Sequence, residues 1–93
     1  MPHKKRIHVF ISGRVQGVFF RVNTQNKARE LGLTGWVQNL TDGRVEAVFE
    51  GEEEKIKEML GWIKNSPFPA KVKSIEIEEE SFKGEFNNFE IRY

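Results

Sequence analysis

The 93-residue chain is predicted to fold as a single α+β sandwich, residues 1–93, in which an antiparallel sheet carries two helices on one of its faces. Three observations carry this prediction. Apolar residues alternate with period two in several short segments, and they recur at helical spacing in two others. The segments also follow one another as strand, helix, strand, strand, helix, strand, with a short closing strand.

Arg6 to Ser12 places Ile7, Val9 and Ile11 on one face and His8, Phe10 and Ser12 on the other, which predicts a half-buried strand. Gly13 to Phe20 interrupts the pattern with two glycines. Arg21 to Leu31 then sets Thr24, Ala28 and Leu31 along one helical side, and Gly32 is its stop. Thr34 to Leu40 and Arg44 to Glu50 are rich in β-branched and aromatic residues, and Thr41-Asp42-Gly43 between them predicts a hairpin because Asp-Gly tolerates positive φ. Along the second of these strands Val45, Ala47 and Phe49 point one way and Glu46 and Glu50 the other, so one sheet face is expected to be covered and the other wet. Glu52 to Lys64 is the clearest helix, with Ile56, Met59, Leu60 and Ile63 on one stripe, three glutamates complementing its dipole at the start, and Ser66-Pro67 beyond its end. Lys71 to Glu80 reads as a strand whose alternation slips between Val72 and Ile75, the mark of a bulge or a late start. Asn88 to Tyr93, alternating Phe89, Ile91 and Tyr93, closes the chain. This order is that of the split β-α-β, ferredoxin-like arrangement, which by itself names no function.

Composition removes several kinds of chemistry. With no cysteine there is no disulfide, no thiolate zinc site and no cysteine nucleophile. No apolar run approaches the roughly 18 to 20 residues that span a bilayer, so the expectation is a cytoplasmic protein with no membrane partner. The net charge of +1 conceals an asymmetry: residues 1–44 hold eight Lys/Arg against two Asp/Glu, and residues 45–93 hold seven against twelve. A basic first half suits a small phosphorylated molecule, while the acidic second half repels a long polyanion.

The stretch Ser12-Gly13-Arg14-Val15-Gln16-Gly17-Val18-Phe19-Phe20-Arg21 leaves a strand and feeds the start of a helix. Exposed amides of such a loop, aided by the positive end of the helix dipole, surround an anion with little reorganisation. It lacks the Gly-Lys-Ser/Thr of a nucleotide P-loop and the three-glycine dinucleotide spacing. Read alone it is equally a plain strand-to-helix turn. Arg21 shifts the balance, because an arginine in a first helical turn opposes the macrodipole by about 0.3–1 kcal/mol unless an anion sits there, and its planar fork grips phosphate bidentately. A surface arginine packing its stem remains the alternative.

Asn39 stands near a strand end although asparagine is disfavoured in strands. Its amide both donates and accepts, which suits it to hold a water and a phosphate oxygen together, and an asparagine before a turn is also a common structural residue. His3 and His8 do not form a metal pair. Glu52 to Glu54 read as a helix start and Glu78 to Glu80 as a solvated strand end, neither as a catalytic dyad.

Gly13 to Arg21, together with Gly35-Trp36-Val37-Gln38-Asn39 and the following Asp42-Gly43-Arg44-Val45-Glu46, closely resembles the two signature segments of the acylphosphatase family. The resemblance extends over nearly the whole chain, through Ala28 to Gly35, the second helix and Phe89 to Tyr93. It implies a ferredoxin-like sandwich that hydrolyses the carboxyl–phosphate bond of acyl phosphates and takes no metal and no cofactor. It also implies that Arg21 binds phosphate, that Asn39 positions water, and that the backbone of Val15, Gln16, Gly17, Val18, Phe19 and Phe20 forms the phosphate cradle. The partners expected are a small acyl phosphate and inorganic phosphate, with the chain acting as a monomer. In-line attack of water on phosphorus needs no strong general acid, because a carboxylate leaves easily.

Two rival readings differ in class. Sheets of this topology can bind single-stranded RNA through aromatic residues, but Arg44 to Gly51 lacks the aromatic-glycine-aromatic signature and adds two carboxylates, so no nucleic acid is expected. The other rival keeps the phosphate site without turnover, as a small-ligand sensor or as a domain that acts within a larger carbamoyl-phosphate-processing enzyme.

Overall fold

The alternation of Ile7, Val9 and Ile11 becomes the inward face of strand β1 (Lys4–Arg14) in a computed structural model that describes residues 3–93. Helix α1 (Phe20–Glu30), strands β2 (Thr34–Asn39) and β3 (Val45–Glu52), helix α2 (Glu53–Lys64), and strands β4 (Lys71–Glu80) and β5 (Phe89–Arg92) follow. The sheet order is β4-β1-β3-β2-β5. The first four strands by sequence pair antiparallel, as predicted, and β5 joins the outer edge of β2 in parallel, which makes the complete sheet mixed.

Both helices lie on one face, α1 over β2 and β5, α2 over β3, β1 and β4. The core between the layers contains Val37, Val45, Ala47, Phe49 and Phe89 from the sheet and Ala28, Ile56, Met59 and Ile63 from the helices. Phe49 and Phe89 stack with centroids 5.2 Å apart, a contact of the offset kind that aromatic pairs favour. The Asp-Gly turn forms as its chemistry requires: Gly43 has φ 95°, the Leu40 amide donates to the Arg44 carbonyl at 2.8 Å, and Asp42 Oδ1 accepts from the Arg44 amide at 3.0 Å.

The slip in alternation in β4 is a bulge. Ser12 pairs Ser74 while Gly13 pairs Val72, so Lys73 is the extra residue. The bulge explains Gly13, which has φ 130° and lies so close to β4 that an added Cβ would stand 2.2 Å from the Lys71 carbonyl oxygen and 2.7 Å from the Lys73 nitrogen. β1 stays paired with β4 through Arg14 and then passes into the glycine-punctuated loop.

The second sheet face departs from expectation. It is not wet at the β1 start: Glu50, expected in solvent, is 1% exposed. The connection between β4 and β5 folds over it, and the Lys83 amide donates to Glu50 Oε2 at 2.8 Å. Arg6, also buried, reaches Glu50 Oε2 at 3.4 Å, Glu80 Oε1 at 2.8 Å and Glu85 Oε1 at 2.6 Å, and lies over the Phe86 ring. Burying two opposite charges is tolerable here because each finds several polar partners, a pairing that side-chain alternation does not encode. Glu80 is likewise not a solvated strand end, since it holds Arg6 and, through Oε2, His8 Nδ1 at 3.1 Å.

Two outcomes follow for stability. Gly13→Ala is expected to cost about 3 kcal/mol in urea unfolding, the upper end for a strained backbone, because φ and the backbone of β4 both oppose a side chain; a loss under about 0.5 kcal/mol, the scatter of ordinary surface changes, would show that the bulge yields freely. The Arg6 hydrogen bond, and then His8, hold the Glu80 carboxyl below the ordinary glutamate value. A depressed folded value means the contribution is complete above about pH 4.3, the unfolded value, and is lost as pH falls through the lower folded one. Glu80→Gln is therefore expected to be less stable than the parent at pH 7, with the two unfolding free energies converging in acid; parallel curves down to pH 2 would contradict it.

Candidate functional site

After Arg14 the chain leaves the sheet and runs to α1 through two left-handed residues, Gly17 at φ 72° and Phe19 at φ 61°, ψ 19°. Val15, Val18 and Phe20 anchor this loop from beneath, all three buried. Phe20 reaches α2, where its ring stacks on Trp62 at 6.4 Å. Left-handed residues alternating with right-handed ones turn successive amides toward a common concavity, the geometry of a backbone anion nest. An added Cβ at Gly17 would meet nothing within 4 Å, so glycine is required there by conformation and not by space. At Phe19 a bulky residue occupies the same region at a cost of about 1–3 kcal/mol.

Helix α1 begins unsupported. Phe19 contributes its carbonyl to the first helical bond, from the Asn23 amide at 3.0 Å, but no side chain caps the helix and no acid stands in its first turn. The amides at the helix start therefore lack helical acceptors. Helix α2 shows the usual arrangement, with Glu53 and Glu54 in its first turn.

A pocket of about 240 Å³ opens at this helix start, lined by Val15, Gly17, Phe19, Phe20, Arg21, Val22 and Asn39. Arg21 is the only charged side chain in this lining. It enters none of the ion pairs among the described residues, and its guanidinium carbon lies 5.1 Å from the Tyr93 ring centroid. A contact through the ring face uses no N–H donor, so the guanidinium fork stays available to an anion. Asn39 is the last residue of β2, and its Oδ1 is buried with no hydrogen-bond partner among the described residues. An unsatisfied buried acceptor costs about 1–3 kcal/mol and invites a donor.

The structure thus brings Arg21 and Asn39 to one pocket with Val15, Gly17, Phe19 and Phe20. Gln16 and Val18 do not line it. Val18 packs inward, and Gln16 turns away to donate from its single amide nitrogen to the carbonyls of Leu40 at 2.8 Å and Arg44 at 2.9 Å. That side chain fastens the loop to the β2–β3 turn, next to Asn39, a role sequence reading misses because an isolated glutamine in a loop signals nothing about its partners. Val22, an apolar residue in the first turn of α1, also joins the pocket without any sequence signal.

Asp42, a carboxylate of the signature segments, is committed to the hairpin. Its carboxyl is held below the usual range by the Arg44 amide and then by the Arg44 side chain, whose Nε donates to Oδ2 at 2.8 Å. Potential ligand atoms of His8, Glu78 and Glu80 lie within 4.8 Å of one another on the other sheet face. Both His8 nitrogens already face carboxylates, Glu46 at 2.6 Å and Glu80 at 3.1 Å, and none of these residues lines the pocket.

Comparison with known proteins addresses both halves of the pocket together. The acylphosphatase family model matches residues 7–91. The acylphosphatase of Syntrophobacter fumaroxidans is 52% identical over 90 residues, 97% of this chain and 93% of the relative. Among solved structures, an acylphosphatase from Coxiella burnetii has a TM-score of 0.90 at 43% identity, covering 96% of this chain and 93% of its own, and that from Bacillus subtilis has 0.89 at 39%, covering 96% and 99%. Since the matched residues span the loop, Asn39 and the closing strand, the chain belongs to the acylphosphatase family.

Proposed function

We propose that the protein is an acylphosphatase that hydrolyses acyl phosphates to a carboxylate and inorganic phosphate at the pocket between α1 and β2, with no metal or cofactor. The observation that carries this reading is the pairing of an uncommitted Arg21 with an unsatisfied Asn39 beside an uncapped helix start. The phosphoryl group sits in the loop from Val15 to Phe20, its equatorial oxygens meeting backbone amides and the Arg21 fork. Water donates a proton to hydrogen-bond the Asn39 amide oxygen, which leaves a lone pair directed at phosphorus.

A bond forms from the water oxygen to phosphorus as the phosphorus–oxygen bond to the acyl group breaks. The electron pair of that bond leaves on the carboxylate, through the loose transition state usual for phosphoryl transfer. The pocket lining holds no carboxylate and no histidine, so the water proton passes to a phosphoryl oxygen of the substrate. A carboxylate is a weak base and departs without a proton. Catalysis then rests on orientation and on donors preplaced where charge develops. We read it as a monomeric, single-domain enzyme. No helix among the described residues is long and apolar enough to cross a membrane, and we place the enzyme in the cytoplasm, acting on a small molecule and not on nucleic acid.

Hydrolysis of benzoyl phosphate in excess chelator tests the reading. The parent is expected to turn over, and Arg21→Ala and Asn39→Ala, checked for folding by circular dichroism, are each expected to lose at least about 100-fold in kcat/KM, the scale of removing one preplaced donor. Arg21→Lys keeps the charge without the fork and is expected to fall nearly as far. Inertness of the folded parent toward several acyl phosphates would defeat the enzymatic reading.

Gln16→Leu removes both hydrogen bonds that hold the loop to the hairpin while keeping side-chain bulk. The expected outcome is a kcat reduced by about tenfold or more through misplacement of the loop against Asn39, with folding retained. Unchanged kcat would mean that the sheet alone sets the spacing.

A further inference from the structure

The outer face of the sheet holds a group of side chains that hydrolysis does not use. A ligand atom from each of His8, Glu78 and Glu80 lies within 4.8 Å of the other two. The strand register explains the meeting. His8 on β1 stands opposite Glu78 of β4, and Glu80, two residues further along β4, shares its face. The His8 ring is held from two sides, with the Phe10 ring centroid at 4.9 Å and the Trp36 ring in an edge contact at 6.0 Å.

A neutral imidazole has one N–H, yet both His8 nitrogens face carboxylate oxygens, Nε2 at 2.6 Å from Glu46 Oε2 and Nδ1 at 3.1 Å from Glu80 Oε2. The shorter contact assigns the N–H to Nε2. The Nδ1 lone pair then meets a carboxylate lone pair, a contact that is stable only with a positive centre between the two atoms, either a second proton or a metal cation. The surroundings fit the cation. Glu46 is itself held by the Gln38 side-chain amide at 2.7 Å, and a histidine whose far N–H goes to an anchored carboxylate is the usual form of a metal-ligating imidazole. Arg6 takes Oε1 of Glu80 at 2.8 Å, which orients that carboxylate and leaves Oε2 to the site. Glu78 is exposed and enters none of the ion pairs among the described residues, so its carboxylate is free to close in.

We propose that His8 Nδ1, Glu78 and Glu80 Oε2 bind one divalent cation of the zinc class, with Glu46 and Arg6 orienting the ligands. One imidazole and two carboxylates form a mixed nitrogen–oxygen set that zinc accepts with a fourth position left to water, whereas calcium and magnesium call for a fuller set of oxygens. Ligand atoms around tetrahedral zinc stand about 3.3 Å apart, given bonds of about 2.0–2.1 Å. Nδ1 and Glu80 Oε2, 3.1 Å apart, are already near that spacing, and Glu78 has only to move inward. The cation ties β4, an edge strand, to β1. It takes no part in hydrolysis, because none of its ligands lines the pocket, and the inference stands independently of the hydrolytic reading.

The test titrates the chelator-treated chain with Zn2+, reading thermal unfolding, and with Co2+, reading visible absorption, above the ordinary histidine pKa of about 6.5. The parent is expected to take up one equivalent and to develop cobalt ligand-field bands. Its unfolding midpoint is expected to rise by about 10 °C once free Zn2+ stands about a hundredfold above the dissociation constant. Glu78→Gln and His8→Gln are each expected to weaken binding at least about tenfold, and Glu46→Gln, which removes the charged partner of Nε2, by about 10–100-fold. Glu76→Gln removes an exposed carboxylate two residues away on the same face of β4 and is expected to bind as the parent does. Both Glu78 and Glu76 are exposed, so these two variants keep the fold. No shift of the parent at about 1 mM Zn2+, the scale of the weakest specific binding, would overturn the site. Equal affinities in Glu78→Gln and Glu76→Gln would overturn it too, by showing only a diffuse attraction to acidic side chains.

Discussion

One row of backbone pairing positions the whole site. Val45 on β3 stands opposite Ile11 of β1 on one side and Asn39 of β2 on the other. The two strands that supply the pocket are not neighbours, and β3 between them sets their relative height. With that register in place, the loop that leaves β1 after Arg14 emerges beside the residue that ends β2. Slipping either pairing by one residue would exchange the buried and outward faces of a strand, exposing Ile11 or Val37, so burial enforces the alignment that the pocket needs. Gln16 then spans the remaining gap by donating to the carbonyls of Leu40 and Arg44. Site geometry is thus a consequence of core packing, finished by one side chain.

Much of this was legible in the sequence because it depends on local periodicity. The inward faces of β1 and β3, both helices, the Asp-Gly turn and even the bulge in β4 each leave a trace within about ten residues of chain. The parallel placement of β5 and the burial of Glu50 do not. Glu50 alternates with Phe49 as a solvent-facing residue should, and only the return of residues 81–88 across that face, bringing the Lys83 and Gly84 amides to it beside the cross-strand Arg6, makes the position a buried one. In the site, Arg21 and Asn39 were legible because each is the wrong residue for its local setting: an arginine at a helix start and an asparagine in a strand. Gln16 and Val22 break no local rule, and their roles appear only when distant segments meet. Phe19 and Phe20 are indistinguishable by type, and what separates them is the left-handed turn between loop and helix.

The electrostatics divide between the two faces of the sheet. On the outer face opposite charges pair: Arg6 is ringed by Glu50, Glu80 and Glu85, and His8 by Glu46 and Glu80. In the pocket Arg21 has no carboxylate, and the helix start that would ordinarily carry an acid has none. A free carboxylate near Arg21 would compete with phosphate for the guanidinium, and general acid–base catalysis would gain little, because the leaving group is already a weak base. An absence that would be a defect in a peptidase or glycosidase pocket is therefore compatible with acyl phosphate hydrolysis.

Three local costs converge on this pocket. The left-handed Phe19 carries about 1–3 kcal/mol of backbone strain, the unpartnered Asn39 oxygen a similar amount, and Arg21 opposes the helix dipole by about 0.3–1 kcal/mol. Each is individually tolerable in a domain whose total stability is on the order of 5–15 kcal/mol. All three meet in a single 240 Å³ space. On the proposed reading, phosphate at the helix start would reverse the sign of the Arg21 contribution, and the attacking water would satisfy Asn39. The strain at Phe19 is not relieved by phosphate, since it belongs to the backbone whether or not the nest is filled.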